Sequence, residues 1–127
     1  MSTIKTETLS TPSNATVPVD TVVNGTAKAW VNFNGTGTVA IRRAFNVSSI
    51  TDNGTGDYTV NFSTAMPDAN YAAVRTSSTI GSSAPFFGFG TMSQTASAVR
   101  FQSGYVSSTG GSGALYDIEY HQVAIFS

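Results

Sequence analysis
Apolar and polar residues alternate along most of this chain with a period of two, the spacing that sends them to opposite faces of a β-strand. Residues 57–63 show it most cleanly: Tyr58, Val60 and Phe62 fall on one face, Asp57, Thr59 and Asn61 on the other. In 27–34, Ala29, Val31 and Phe33 face one way and Lys28, Trp30 and Asn32 the other. Residues 39–45 group Val39, Ile41 and Phe45 on one face. Residues 116–126 set Tyr116, Ile118 and Tyr120 against Asp117, Glu119 and His121, then end in four residues apolar on both faces. Shorter strands are predicted over 4–9, 17–23, 71–76, 86–91 and 98–106, with Pro18 favouring an edge or a strand start.

The punctuation between these runs is that of tight reversals. Asn-Gly-Thr-Gly occurs twice, at 34–37 and 53–56, and Asn24-Gly25-Thr26 is a partial third copy. Asn-Gly tolerates the positive φ that a hairpin turn of a twisted ribbon requires. Residues 19–62 therefore read as strand, turn, strand, turn, strand. Met66-Pro67-Asp68-Ala69-Asn70 is a turn by composition. A serine- and threonine-rich loop covers 77–85, and a glycine-serine loop covers 107–113. Nine or so short strands at this spacing predict an all-β, antiparallel sandwich, jelly-roll-like in order. Residues 1–16 form an N-terminal strand or attachment segment, and 17–127 form the sandwich domain.

Composition changes the picture of the surface. Of the 127 residues 40% are hydrophobic and only 10% are charged, against roughly 25% charged in an ordinary soluble domain. With a net charge of −1, little repulsion keeps copies apart. The six basic residues are scattered, and Arg42-Arg43, the one adjacent pair, point to opposite faces of a strand. No basic patch for a nucleic acid results. There is no cysteine, so disulfides and thiolate metal sites are excluded. No run approaches the roughly 18 apolar residues of a membrane span, and the first residues lack the basic and apolar regions of a signal peptide. Six Asn-x-Ser/Thr sites, at Asn14, Asn24, Asn34, Asn46, Asn53 and Asn61, read as turn chemistry instead of glycosylation acceptors.

Some stretches carry more apolar surface than one small sandwich needs. Successive phenylalanines point opposite ways in Pro85-Phe86-Phe87-Gly88-Phe89, the last strand is apolar on both faces, and Trp30 lies opposite Val31 and Phe33. Trp30, Phe87, Phe89, Ile125 and Phe126 are therefore candidates for an oligomer interface, the alternative being a two-layer core covered by loops. Catalysis has little to work with. His121 is the single histidine, and no Gly-x-Ser-x-Gly elbow is present. Asp117, Glu119 and His121 share a strand face at i, i+2, i+4, either a weak metal-ligand set or a solvated polar face. No metal site, cofactor or enzymatic activity is assigned.

Residues 28–62, KAWVNFNGTGTVAIRRAFNVSSITDNGTGDYTVNF, resemble a module common in tail-fibre and other virion proteins of tailed bacteriophages. STAMPDANYAAV at 63–74 and the opening MSTIKTETL are also similar to such proteins. The resemblance covers about half the chain and ends near Ser77. It implies a β-rich homotrimer on the virion, made in the host cytoplasm and released by lysis. A tail fibre or fibre tip would bind a host-surface glycan or protein. The alternative is a capsid decoration or head-fibre protein with a structural, shell-binding role. Receptor contact is then expected from the loops 76–87 and 107–116, with Asn70, Phe86, Tyr105 and Tyr116 as candidate residues. The implied partners are two further copies and other virion proteins.

Overall fold
The computed structural model describes residues 2–78, 90–106 and 112–127. Phe86, Phe87 and Phe89 lie outside them. Among the described residues, twelve strands and one short helix run in the order β1 Thr8–Ser10, β2 Thr16–Pro18, α1 Val19–Gly25, β3 Ala29–Asn34, β4 Ala40–Phe45, β5 Val47–Gly54, β6 Asp57–Phe62, β7 Ala72–Ser78, β8 Thr91–Thr95, β9 Ala98–Gln102, β10 Gly104–Val106, β11 Gly113–Leu115 and β12 Tyr120–Phe126. The chain is all-β, and every pairing among the described strands is antiparallel. Two four-stranded sheets, β4-β3-β12-β7 and β5-β6-β9-β8, make a sandwich-like body; β1-β2 and β10-β11 are separate two-stranded ribbons.

The period-two pattern decides which faces meet. Ala29, Val31 and Phe33 of β3 and Val123 and Ile125 of β12 face Tyr58, Val60 and Phe62 of β6 and Val99 and Phe101 of β9, all of them buried. Phe33 binds the two layers together, with ring centroids 5.4 Å from Tyr58 in a T-shaped contact and 6.2 Å from Phe101. Strands adjacent in sequence pair within one sheet (β3–β4, β5–β6, β8–β9), and β12 inserts between β3 and β7. β6 pairs in the same way with β9, so each four-stranded sheet joins strands that are distant in sequence.

Several local expectations are corrected. The single strand expected between the two Asn-Gly-Thr-Gly copies is broken at Asn46, which takes φ 52°. Its amide donates to Lys28 O and Thr64 O at 3.0 and 3.1 Å and accepts from Thr64 N at 2.7 Å. Asparagine suits this corner because it tolerates the left-handed region and its side chain satisfies the backbone groups that the bend leaves open. The chain thereby passes from one sheet to the other. Residues 17–23, read as a strand, form the end of β2 and then α1, with Pro18 as N-cap and Asp20 in the first turn. The packed sheets begin at Ala29.

The twin turns do different work from that expected of Asn-Gly. In the second copy the reversal falls at Thr55 and Gly56, because Gly54 still pairs with Asp57. Positive φ is carried by Gly54 (131°) and Gly56 (63°). In the first copy only Gly37 has positive φ, at 61°, and the Asn34 carboxamide accepts from the Thr36 N–H and hydroxyl. Gly35 is needed for space: a Cβ there would lie 2.6 Å from Ile118 O and 2.8 Å from the Tyr58 hydroxyl. At Gly56 it would lie 2.3 Å from Ser103 O and 2.7 Å from Tyr116 N.

Both glycines thus abut the short segment 116–118, and the cost of a side chain follows from what surrounds each. Gly56→Ala, with positive φ and backbone neighbours that cannot yield, is expected to cost more than about 3 kcal/mol. Gly37→Ala, with positive φ in open space, is expected to cost about 1 kcal/mol. Urea denaturation of the two variants checks this; equal losses would contradict it.

Candidate functional site
The two outer faces of the body differ in chemistry. On the β5-β6-β9-β8 sheet the polar side chains satisfy one another. Asn61 donates to Ser49 and Thr51, and Asn53 to Thr59 and Asp57. Arg100 grips the Asp57 carboxylate with two bonds of 2.8 and 2.9 Å, and Gln102 adds a third at 2.9 Å. The Arg100 hydrogen bond leads the groups that hold the Asp57 carboxyl at about 2, against the desolvation that opposes them. A face so closed on itself has little hydrogen-bonding capacity to offer a partner.

The outer face of the β4-β3-β12-β7 sheet is built otherwise. Register places Phe45, Trp30, Ala124 and Val74 in one row across all four strands. Phe45 is 55% exposed, Trp30 36% and Val74 59%. The neighbouring row is Arg43, Asn32, Gln122 and Thr76, all polar. Trp30, Asn32, Val74, Thr76, Gln122 and Ala124 line a shallow groove of about 380 Å³. The side chains of Arg43, Gln122 and Thr76 have no hydrogen-bond partner among the described residues. An apolar row beside a row of uncommitted donors and acceptors can take a ligand with one apolar face and polar edges.

A bulge shapes the rim of this face. Asn32 pairs with Arg43 and Phe33 with Ile41, so Arg42 is the extra residue of β4. It does not point away from Arg43 as strict alternation expects. Arg42 lies over the Tyr120 ring at 4.1 Å, donates to Glu119 O at 2.8 Å and reaches Asn32 Oδ1 at 3.4 Å. Phe45 and Arg43 share the outer face, while Ala44 packs against the core. The expected grouping of Val39, Ile41 and Phe45 on one face therefore does not hold through β4.

The other residues singled out from sequence fall in separate places. Tyr105 and Tyr116 are exposed and meet in a T-shaped contact with centroids 6.0 Å apart. Asn70 ends the turn before β7, its N–H bonded to Asp68 at 2.6 Å, at the opposite end of β6 from the Gly56 turn that Tyr116 abuts. Among the interface candidates, Trp30 and Phe126 lie on the outer face. Ile125 is sealed in the core and is removed from that set. Phe45, Asn32, Arg43, Gln122, Thr76 and Val74 were not singled out. The alternation of β3 and β12 marks Trp30, Asn32, Gln122 and Ala124 as outward, but which strands lie beside them is not written in any local pattern.

The Asp117, Glu119 and His121 trio is not a shared face. β12 starts only at Tyr120, so Asp117 and Glu119 stand in a loop and His121 points inward. Asp117 accepts from Gly56 N and the Tyr58 hydroxyl, each at 2.7 Å, and Glu119 lies 3.9 Å from Arg42. No cluster of three or more potential metal ligands occurs among the described residues. His121 is fully buried, stacked on Phe33 at 4.8 Å, with Tyr58 and Phe101 also against it. Neither ring nitrogen has a hydrogen-bond partner among the described residues. Burial, then Arg75 and Arg42 outweighing Asp117, brings its pKa down to about 4.

Comparison of the chain with family models, curated proteins and solved structures gives no match.

The buried imidazole has a measurable consequence. Its folded-state pKa lies below its ordinary 6.5, so between those values the unfolded chain binds more protons than the folded one. Stability is complete above about pH 6.5 and is expected to fall by roughly 1–3 kcal/mol as the pH drops to about 4. His121→Leu, which removes both unpaired nitrogens, should flatten that slope without loss at neutral pH. Denaturation between pH 4 and 8 tests it; an unchanged slope in the variant would contradict the assignment.

Proposed function
We propose that the chain is a surface subunit of a tailed-bacteriophage virion, a tail-fibre or fibre-tip domain that forms a homotrimer and binds a host-surface receptor. The observation that carries this reading is the asymmetry of the two outer faces. One is a self-satisfied polar surface, and the other exposes an entire apolar row with uncommitted polar groups beside it. A module with a single such face is suited to contact, and the similarity of residues 28–74 to fibre modules supplies the setting. The only histidine is sealed in the core, which leaves no surface imidazole to act as a base.

Residues 2–25 support assembly. Ile4, Leu9, Val17, Val22 and Val23 are all exposed there, α1 buries no residue, and among the described residues β1 and β2 pair only with each other. Such a segment gains by docking onto copies of itself or onto a larger particle. The same feature favours the second reading, a decoration protein whose N-terminal segment grips the capsid shell.

Gold-labelled antibody against the chain is expected to mark the fibres of intact particles. Label on the capsid alone would select the decoration reading, and absence from purified particles would overturn both. In sedimentation equilibrium the chain is expected at three times its 13.2 kDa mass. A stable monomer at micromolar concentration would contradict the trimer.

A further inference from the structure
We propose that the groove over Trp30 is a carbohydrate-binding site. A pyranose ring would lie against the indole while its hydroxyls bond to Asn32, Gln122 and Arg43. This deepens the receptor-binding reading above by naming the ligand class and moving the site from the loops to the face of a sheet.

The chemistry of the two rows selects the ligand. A pyranose has C–H groups on its ring faces and hydroxyls around its edge. It therefore needs an aromatic surface flanked by donors and acceptors in one plane. Trp30 supplies the surface, with Phe45 beside it on one side and Ala124, then Val74, on the other. The next row lies one strand spacing of two residues away, roughly 7 Å, the breadth of one sugar ring and its substituents. Asn32 Oδ1 is turned toward Arg42, which leaves the Asn32 amide N–H₂ to donate. Gln122 supplies both a donor and an acceptor, and Arg43 supplies planar donors with no acidic residue opposite it in the row. The strands hold all of these on a backbone ladder, so little ordering is required on binding.

Area argues against a second copy as the occupant. The exposed parts of Phe45, Trp30 and Val74 amount to roughly 300 Å² of apolar surface, judged from what such side chains bury. A stable protein interface covers about 800 Å² on each partner, somewhat over half of it apolar, or roughly 450 Å². A groove of about 380 Å³ is instead the size of a small-ligand site.

Trp30 is the only tryptophan, so its fluorescence reports on this groove alone. The folded chain is titrated with size-defined ladders of β-1,4-glucan, chitin, α-mannan and polygalacturonate oligosaccharides. At least one ladder is expected to give a saturable blue shift. In affinity electrophoresis on that glycan, Trp30→Ala should abolish retardation and Gln122→Ala should weaken binding about tenfold. Met92→Ala, on the other sheet, should bind as the parent does. Gln122→Ala carries the test if Trp30→Ala fails to fold. The proposal is overturned if no ladder shifts the emission or if Gln122→Ala binds undiminished. It is equally overturned if loss of Trp30 only dissociates an oligomer, because a second copy then occupies the face. Label on fibres with no glycan response would sink this proposal alone; glycan binding by a chain absent from particles would sink only the virion reading.

Discussion

The Asp117 carboxylate is the point on which the geometry of one end of the body depends. One of its oxygens accepts from the Gly56 N–H and lies 2.7 Å from the Tyr58 hydroxyl. That hydroxyl is also 2.7 Å from Gly35 O. Tyr58 has one proton to give between two acceptors, and it sits in the core, where burial and then the neighbouring carboxylate keep its phenol protonated. Both Asn-Gly-Thr-Gly copies, which begin nineteen residues apart in sequence, are thereby tied to residues 116–118 through Gly35 of the first and Gly56 of the second. Gly35 N and Gly56 O complete the attachment through Ile118 O and Ser103 N. A buried polar cluster of this kind fixes geometry more than it adds net stability, since each bond replaces one made to water.

From that tie follows the layout of the strand that closes the fold. Residues 116–118 are held as a loop against the two turns, so β12 can begin only at Tyr120. That start sets its register against β3 and β7. His121, Val123 and Ile125 turn inward, while Gln122 and Ala124 turn outward beside Asn32 and Trp30. The buried imidazole without partners and the mixed apolar and polar outer face are two results of one register. A shift of one residue would exchange them.

Much of this was legible in the sequence and some was not, for identifiable reasons. The inward faces of β3 and β6 follow directly from alternation, because those strands are regular and half-buried. Alternation fails wherever an extra residue or a left-handed corner enters. Arg42 is shifted to the outer face by a bulge, and Asn46 divides one expected strand into two sheets. The two Asn-Gly-Thr-Gly copies mark reversals while Asn24-Gly25 ends α1, yet the glycines that matter most are held by long-range contacts that local turn chemistry cannot reveal. The exposed apolar row is half visible: Trp30 stands out as an aromatic on the outward side of its strand. Phe45 beside it and Val74, one strand beyond Ala124, lie 15 and 44 positions further along, and only the sheet order brings them into its row.

On the proposed reading one face is scaffold and the other the working surface, on a body that the chain's two repeated turns lock together. Hydroxyl-radical footprinting tests that division most directly. The chain is oxidised alone and again when adsorbed to envelope fragments of a bacterium that it binds. Protection is expected at Trp30, Phe45 and Val74, with Met92 and the Tyr105–Tyr116 pair reacting as before. Protection confined to Tyr105 and Tyr116, or to Met92, with Trp30 as reactive as in the free chain, would contradict the account.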